Sequence, residues 1–374
     1  MVGHTFVHAC AGAGKTERIV QRCADSERKR LVITLTDTGQ EELLSRLTRA
    51  CVPSQAPDVM GWYAFLINHY IRPYLPSLFP GIRPTGFLFD RKFHPDNHYR
   101  LAGARRYFSA DDSLYRETLA ELAVKIAHST NGLPEARLGR IYDEIIFDEV
   151  QDLSRKSLDI IARLLDQVSP EVFMVGDTRQ SLLDSDQMSR KNRAADRLGL
   201  LKWYENHESE GRIAIEHDTV TWRSNQAIAD FSDRIFPVSL GFPATTSRNM
   251  QVTGHDGVFL VSENDLEKYL ETYDPVLLRA GKNSGKHLGD LKFKNFGKTK
   301  GQTFDRILIY PTGPMLKLIE KGEPLKEKSA CAFYVGVTRA RFSVGILVKD
   351  GVLRRLARSD TYIPIDIWSH QEAV

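Results

Sequence analysis

The stretch Ala9-Cys10-Ala11-Gly12-Ala13-Gly14-Lys15-Thr16 is a glycine-rich turn that ends in a lysine and a hydroxyl side chain. Such a turn can surround phosphate groups, because its backbone N–H groups point inward. Lys15 can then reach the β- and γ-phosphates of a nucleotide, and the Thr16 hydroxyl can bind Mg²⁺. The strict pattern has glycine where this chain has Ala9, so the interpretation needs support from other residues. We predict that nucleotide phosphates are bound by Ala11, Gly12, Ala13, Gly14, Lys15 and Thr16.

Apolar runs typical of buried strands alternate with helical patterns along the whole chain. A helix is predicted from Thr16, another over 40–50, and a third with Tyr115, Leu119 and Ile126 on one face, and Ser224 is expected to cap a later helix. Alternation of this kind predicts an α/β fold with parallel sheets flanked by helices. The strands are predicted at 5–9, 31–35, 145–147, 172–175, 213–215, 258–261, 275–278, 307–310 and 343–348.

The domain organisation follows from where this alternation is interrupted. We predict a first domain over residues 1–210 and a second over 211–374, because 374 residues are enough for about two domains. A small, mostly helical insertion is expected in the first domain at about 70–140. No large insertion is expected in the second.

The composition is that of an ordinary soluble protein, with 26% charged and 42% hydrophobic residues and a net charge of +3. It does not demand a nucleic-acid partner, so any basic surface must be local. The four cysteines are scattered, which argues against a zinc site or a disulfide framework and favours a reducing cytosol. No apolar run is long enough to cross a membrane, so we expect a cytoplasmic protein without a membrane partner.

Two polar motifs follow apolar strands and complete a hydrolytic set with the loop. Asp148 and Glu149 come after the strand at 145–147. Asp148 would hold Mg²⁺ through water, and Glu149 would orient and deprotonate the attacking water. Gln180, after the strand at 172–175, could hold the γ-phosphate or that water. The alternatives are a solvated acidic pair at a strand end and an ordinary polar turn.

The ordered motifs resemble those of superfamily 1 helicases of the UvrD/Rep type, across positions 9 to about 341. That family carries Ala-Gly-x-Gly-Lys-Thr, Asp-Glu-x-Gln-Asp, Gly-Asp-x-x-Gln-Ser, aromatic-Arg-Ser, Lys-Gly-x-x-Phe-Asp and Val-x-x-Thr-Arg-Ala in this order. The corresponding segments of this chain are 11–16, 148–152, 176–181, 222–224, 300–305 and 335–340.

The resemblance implies two RecA-like P-loop NTPase domains, with ATP and Mg²⁺ as cofactors. Arg223 and Arg339 would act as arginine fingers on the γ-phosphate, beside Lys15, Glu149 and Gln180 as the other catalytic residues. Trp222 would stack on the base, and Gly301 would belong to the nucleotide site. Without the family, Trp222 could equally be a buried tryptophan and the arginines could form surface salt bridges.

Contacts to single-stranded DNA are also implied by the resemblance, through Thr36 and the aromatic residues Trp62, Tyr63 and Phe65. Aromatic rings stack on bases without demanding a sequence. Trp62 and Phe65 could equally be core residues of a helix. The stretch 282–300 adds six lysines with Phe293 and Phe296 between them, a pattern typical of a strand-binding groove or of a solvated surface. From it we predict that Lys294 and Lys298 bind DNA.

Two departures from the family pattern modify these expectations. The glutamine motif that reads adenine in relatives is missing upstream of Ala9, so we expect turnover with GTP to approach that with ATP. The segment between Arg223 and Lys300 is too short for the large accessory domain of relatives. Compact UvrD-like proteins of this kind include the helicase subunit of Gabija-type phage-defence systems.

The sequence thus favours an ATP-dependent helicase or translocase that moves on single-stranded or tailed DNA, in the 3′→5′ direction. The alternative is a DNA-sensing ATPase subunit that regulates a partner nuclease of the OLD-family type, in phage defence or DNA repair, without processive unwinding. A P-loop kinase or a non-motor GTPase is disfavoured, because neither needs the block at 335–341.

Overall fold

The computed structural model describes residues 3–24, 27–89, 101–153, 155–182, 197–358 and 361–369. These residues form two compact units. The first unit takes the described residues within Met1–His8, Lys15–Gly176 and Leu183–Glu216. The second takes those within Ala9–Gly14, Asp177–Leu182 and His217–Val374. Two short segments from the first half of the chain therefore belong to the second unit.

The first sheet has six strands in the described residues, in the order β3-β2-β6-β7-β1-β8, and the neighbours from β3 to β1 in this order run parallel. Most of its central positions are apolar and buried, as expected for a sheet that is covered on both faces. Its strands are β1 (Thr5–Ala9), β2 (Arg30–Thr34), β3 (Asp58–Gly61), β6 (Glu144–Phe147), β7 (Glu171–Gly176) and β8 (Ala214–Asp218). A separate two-stranded ladder joins β4 (Gly86–Leu88) and β5 (Ser113–Tyr115).

The strand order brings the motif-bearing strand ends to one edge of the first sheet. The register pairs His8 of β1 with Gly176 of β7, and Phe147 of β6 with Met174 of β7. The chain leaves β1 toward β2 on one side and leaves β7 toward β8 on the other. Open α/β sheets bind ligands outside the carboxyl ends of strands at such a reversal.

The helices of the first unit cover this sheet. Helix α3 continues through a wider turn at Leu66–Ile71 and a short turn at Arg72–Tyr74. The helices are α1 (Lys15–Ala24), α2 (Asp37–Ala50), α3 (Trp62–Phe65), α4 (Leu119–Ser129), α5 (Leu133–Ile141), α6 (Arg155–Leu165) and α7 (Arg197–Ser209).

The segment expected as an insertion supplies part of the first unit's core. Leu122 and Ile126 of α4 are fully buried in the same apolar cluster as Ile145 and Phe147 of the sheet. Helix α4 begins at Leu119, and Tyr115 lies in β5, so the prediction that Tyr115 is on the helix is wrong.

The second sheet also has six strands among the described residues, in the order β13-β12-β14-β15-β11-β16, all paired in parallel. They are β11 (Gly257–Ser262), β12 (Val276–Arg279), β13 (Lys294–Asn295), β14 (Phe304–Tyr310), β15 (Ala340–Val348) and β16 (Asp366–Ile367). A short ladder pairs β9 (Val220–Thr221) with β10 (Thr246–Ser247). The helices are α8 (Gln226–Ile235), α9 (Leu266–Tyr273), α10 (Gly313–Lys321), α11 (Glu327–Val337) and α12 (Asp350–Leu356).

The predicted fold class is confirmed: each unit is a parallel six-stranded sheet flanked by helices, the arrangement of RecA-like domains. One predicted cap is wrong. Asn225 caps α8 by accepting a hydrogen bond from the Ile228 N–H, whereas the Ser224 hydroxyl donates to the Ala340 carbonyl. None of the helices in the described part of the chain has the length and apolarity needed to cross a membrane.

Candidate active site

The phosphate loop has the backbone conformation that its glycines allow. Gly12 and Gly14 have φ angles of 79° and 85°, in the left-handed region that side chains with a Cβ rarely adopt. Helix α1 begins at Lys15, directly after the loop. The first N–H groups of a helix have no acceptor within the helix, so this end of α1 can receive an anion. Lys15 and Thr16 are half-buried in its first turn.

Within the second unit, the loop lies against the residues that precede α8. The Trp222 N–H donates to the Gly12 carbonyl at 3.0 Å. A Cβ added to Gly12 would lie 2.6 Å from Thr221 Oγ1 and 2.7 Å from Arg223 Cβ. Only glycine fits there without a shift. This close approach places Arg223, a predicted arginine finger, beside the phosphate loop.

The acidic pair of the first unit follows β6, as predicted. Asp148 is buried and its N–H donates to the Ile33 carbonyl at 2.9 Å. Glu149 is half-buried with a φ of 54°, a backbone conformation that is uncommon for residues other than glycine. The Gln151 amide donates to the Glu149 carboxylate. A Cβ on Gly176 would lie 2.5 Å from Gln151 Oε1, so glycine leaves room for the side chain that holds Glu149.

Asp177 is the centre of a buried network in the second unit. It is fully buried and accepts hydrogen bonds from the Arg179 backbone N–H and guanidinium. The Gln180 amide donates to it at 3.0 Å and the Tyr334 hydroxyl at 3.1 Å. Tyr334 in turn accepts a hydrogen bond from the Ala11 N–H at 3.3 Å. The Asp177 carboxylate thereby connects the turn at 177–180 to helix α11, and the Tyr334 hydroxyl extends this connection to the loop.

The network continues to the predicted arginine fingers. The Arg339 guanidinium donates to Gln180 Oε1 at 2.9 Å, and both side chains are buried. Arg339 also donates to the Val335 and Gln302 carbonyls. The Arg223 guanidinium donates to the Thr338 carbonyl at 3.0 Å. The structure thus brings Gln180, Arg223 and Arg339 together in the second unit.

The charges of this network are fixed by their surroundings. Burial alone would lower the pKa of Arg179, but Asp177 and Tyr334 more than offset it, so the pKa is raised and the guanidinium stays charged. Burial raises the pKa of Tyr334 well above its usual range, so the hydroxyl keeps its proton at neutral pH. The Arg179 guanidinium lies over the Tyr334 ring, with its central carbon 4.7 Å from the ring centroid.

The two residues expected to contact the rest of the nucleotide are on the surface. Trp222 is 66% exposed, so its ring is accessible for stacking on a base. Gly301 is exposed with a φ of 82° and precedes Gln302, whose carbonyl accepts from Arg339. Their roles toward a nucleotide stay predictions.

The aromatic residues expected to stack on DNA have different environments. Trp62 and Phe65 are at most 1% exposed, and both rings pack against Phe147 in the core. The prediction that they contact bases is not supported, because a base cannot reach either face without opening the core. Trp62 and Phe65 are core residues, which is the alternative that their sequence pattern left open. Tyr63 is half-buried with its ring edge on Phe89, and its DNA contact stays a prediction.

The polar DNA candidates are on the surface. Thr36 is exposed, but its hydroxyl already caps α2 by accepting from the Gly39 N–H. Lys294 and Lys298 are exposed, and the Lys294 amino group lies 5.0 Å from the centroid of the Phe304 ring. The interleaved Phe296 is buried, however, so it is not available for base stacking.

Three residues that position the candidate catalytic groups were not predicted to do so. Gln151 donates a hydrogen bond to Glu149, and Arg179 donates one to Asp177. Tyr334 connects Asp177 to the loop through its hydroxyl. The available signal for Tyr334 is its position one helical turn before Thr338, the residue that follows α11. No pattern in the sequence indicates that the Asp177 carboxylate accepts from Arg179, Gln180 and Tyr334 together.

The residues fit a nucleotide with a magnesium ion. The loop would hold phosphate oxygens through its N–H groups, and any Cβ at Gly12 would fill the space beside Thr221. Across the described ranges, no group of three or more histidine, cysteine, aspartate or glutamate residues is placed to bind a metal. Mg²⁺ commonly uses one or two protein ligands together with substrate phosphates, and Thr16 and Asp148 are the candidates here.

Comparisons with known proteins give fold similarity only. No protein-family model matches the chain, and no curated protein matches it. Among solved structures, arterivirus nonstructural protein 10 (helicase) with DNA is 17% identical with a TM-score of 0.47, covering 94% of this chain and 63% of that one. A crystal structure of arterivirus nonstructural protein 10 (helicase) is 16% identical with a TM-score of 0.46, covering 94% of this chain and 61% of that one.

The PRRSV helicase is 14% identical with a TM-score of 0.44, covering 97% of this chain and 55% of its own. The chain therefore spans less than two thirds of the length of these helicases. Similarity at this level assigns neither a family nor a function to the chain.

Proposed function

We propose that the chain is a Mg²⁺-dependent ATP hydrolase of the superfamily 1, UvrD/Rep-like type that translocates along single-stranded DNA. The observation that carries the proposal is the buried network around Asp177. It joins the phosphate loop at Ala11 to Gln180, and Gln180 to Arg339. A turn with only a structural role would not need an arginine, a glutamine and a tyrosine that all donate to one carboxylate, with the tyrosine also bound to the loop.

The residues of the loop bind and orient the triphosphate in this proposal. Lys15 and the N–H groups at the start of α1 neutralise the phosphate charge. Thr16 and Asp148 hold the metal ion, which when bound neutralises charge on the phosphate oxygens. Phosphoryl transfer depends mainly on such positioning and charge stabilisation.

The remaining residues act on the attacking water and on the charge that develops during reaction. Glu149, held by Gln151, orients the water and accepts its proton. Gln180 is positioned by Asp177 near Arg339. Arg223 and Arg339 stabilise negative charge in the transition state, an effect that is worth roughly 10³–10⁵ in turnover for arginine fingers.

DNA binding in this proposal rests on exposed and half-buried residues of the two units. Lys294 and Lys298 would neutralise phosphates, so affinity should fall steeply with salt. Thr36 and Tyr63 are the candidates in the first unit. Trp222, which is exposed, is assigned to the nucleotide base and not to DNA.

The test of the motor activity is strand separation and displacement. Duplexes with 3′ or 5′ single-stranded tails are incubated with the protein, ATP and Mg²⁺, and translocation is followed by displacement of streptavidin from biotinylated strands. The proposal expects activity on 3′-tailed substrates. Activity on neither tail, in a protein whose ATP turnover is stimulated by DNA, would instead favour the DNA-sensing subunit that switches a partner nuclease.

A further inference from the structure

We propose that Tyr334 is a positioning residue. Its hydroxyl group fixes the position of the phosphate loop relative to the Gln180–Arg339 pair. The inference rests on the proposed ATP hydrolysis and adds a residue to it. Tyr334 belongs to helix α11, and Ala11, Asp177, Gln180 and Arg339 are all in the same compact unit.

The hydroxyl of Tyr334 has two partners with opposite roles. It accepts a hydrogen bond from the Ala11 N–H at 3.3 Å and donates one to Asp177 Oδ2 at 3.1 Å. Asp177 Oδ2 also accepts from the Gln180 amide at 3.0 Å. Tyr334 and Gln180 therefore meet at one oxygen atom. A shift of the loop at Ala11 moves the tyrosine, and the tyrosine moves the acceptor that orients Gln180.

The orientation of Gln180 matters because its amide has two distinct ends. Its nitrogen donates to Asp177, which leaves its Oε1 to accept from Arg339 at 2.9 Å. If Asp177 turned away, the amide could rotate and present its nitrogen to the guanidinium, where two donors would face each other. The tyrosine hydroxyl thus helps to fix which end of Gln180 faces the arginine.

The side chains of the network are buried, so solvent does not compete for their hydrogen bonds. Asp177 is fully buried, Tyr334 is 1% exposed, and Gln180 and Arg339 are 3% and 2% exposed. Buried hydrogen bonds to a charged group are stronger than exposed ones, because water cannot replace a lost partner. The Tyr334 ring is held independently of its hydroxyl, by the Arg179 guanidinium on one side and the edge of Phe236.

Substitution of Tyr334 by phenylalanine separates the hydroxyl from the ring. Tyr334→Phe keeps the packing and removes both hydrogen bonds. We expect kcat for ATP to fall about tenfold, the size expected for one hydrogen bond to a charged partner, with KM changed less than twofold. Tyr269→Phe is the matched control. Tyr269 is also fully buried in the second unit, but its hydroxyl forms a hydrogen bond with His255 Nε2 at 3.0 Å.

A double-mutant cycle tests whether Tyr334 acts through Gln180. In the background of Gln180→Ala, Tyr334→Phe should lower kcat by less than twofold, because the residue that the tyrosine positions is already absent. If the double variant lowers kcat by the product of the two single effects, the inference is overturned. A kcat of Tyr334→Phe within twofold of the wild type and of Tyr269→Phe would also overturn it.

A second readout does not depend on hydrolysis. Amide hydrogen exchange is measured without nucleotide for segments 9–14 and 177–182. Tyr334→Phe should speed exchange about tenfold in both segments, and Tyr269→Phe in neither. Unchanged exchange in both segments would overturn the positioning role. A wild-type protein that hydrolyses no ATP would contradict the proposed function, whereas exchange would still decide the role of Tyr334.

Discussion

Gly12 shows at the scale of single residues how closely the phosphate loop approaches its neighbours. Its φ of 79° and the short approach to Thr221 and Arg223 both exclude a side chain. Gly12→Ala should therefore force the loop to move, since a left-handed alanine alone costs about 1–2 kcal/mol. We expect the affinity for a fluorescent ATP analogue to fall about tenfold or more, measured by anisotropy.

The control for this variant is another glycine of the same unit. Gly281 has no heavy atom within 4 Å of an added Cβ and no left-handed backbone angle. Gly281→Ala should bind the analogue as the wild type does. Equal affinity for Gly12→Ala and Gly281→Ala would contradict the assignment of the loop to phosphate binding.

Residue types were easier to predict from the sequence than the contacts they make. The spacing of Lys15, Glu149 and Arg339 along the chain is enough to predict their chemical roles. It does not predict which residues are buried. Trp62 and Phe65 are core residues because they pack on Phe147, a tertiary contact that aromatic character alone does not reveal. The role of Tyr334 depends on a hydrogen bond across 323 positions of sequence.

Helix α11 shows the same close packing at the scale of elements. A Cβ on Gly336 would lie 2.5 and 2.7 Å from two carbons of the buried Phe296 ring. Gly336→Ala should therefore overpack this contact and destabilise the protein by about 1–3 kcal/mol, even though alanine is the better helix former. The midpoint of thermal unfolding measures the effect.

A helix glycine without neighbours provides the comparison. Gly351 lies in α12, and an added Cβ would meet no heavy atom within 4 Å. Gly351→Ala should leave the free energy of unfolding unchanged or raise it by up to about 1 kcal/mol, and its midpoint should not fall. A Gly336→Ala protein as stable as Gly351→Ala would show that α11 and Phe296 are not packed as described.

Most strands could be predicted because they are continuous apolar runs. Residues 145–147 and 172–175 fall inside β6 and β7, for example. Strand β3 was missed, since Asp58–Gly61 is short, begins with an exposed aspartate and lies at the edge of the sheet. Strands β13 and β16 have two residues each, so their pairing depends on tertiary context and not on a local pattern.

Two buried histidines link stability to pH at the scale of the whole molecule. Burial, assisted by Arg137 at His69 and by Arg306 at His255, lowers both pKa values to about 4. The unfolded chain binds these protons near pH 6.5, so between pH 6.5 and 4 it holds more protons than the folded state. Stability is therefore full above pH 6.5 and is lost as the pH falls toward 4, by about 3 kcal/mol for each histidine.

The measurement is the unfolding midpoint from pH 7 to 4 for the wild type and two variants. His255→Gln should have a shallower loss of stability, because one of the buried histidines that bind a proton on unfolding is gone. His217 is exposed, and His217→Gln should lose stability as steeply as the wild type. Carboxylates titrate in all three proteins, so only the difference between slopes counts. If the midpoints of both variants fall equally steeply with pH, His255 is not a buried neutral ring in the folded protein.

At this scale, we propose that Glu149 and the phosphate loop hydrolyse ATP in response to single-stranded DNA. The direct measurement is steady-state ATP turnover with and without a single-stranded oligonucleotide, for the wild type and Glu149→Gln. DNA should stimulate turnover of the wild type, and Glu149→Gln should lose about 10²-fold or more in turnover while still binding the ATP analogue. Turnover that is indifferent to DNA, or that survives Glu149→Gln, would contradict this proposal.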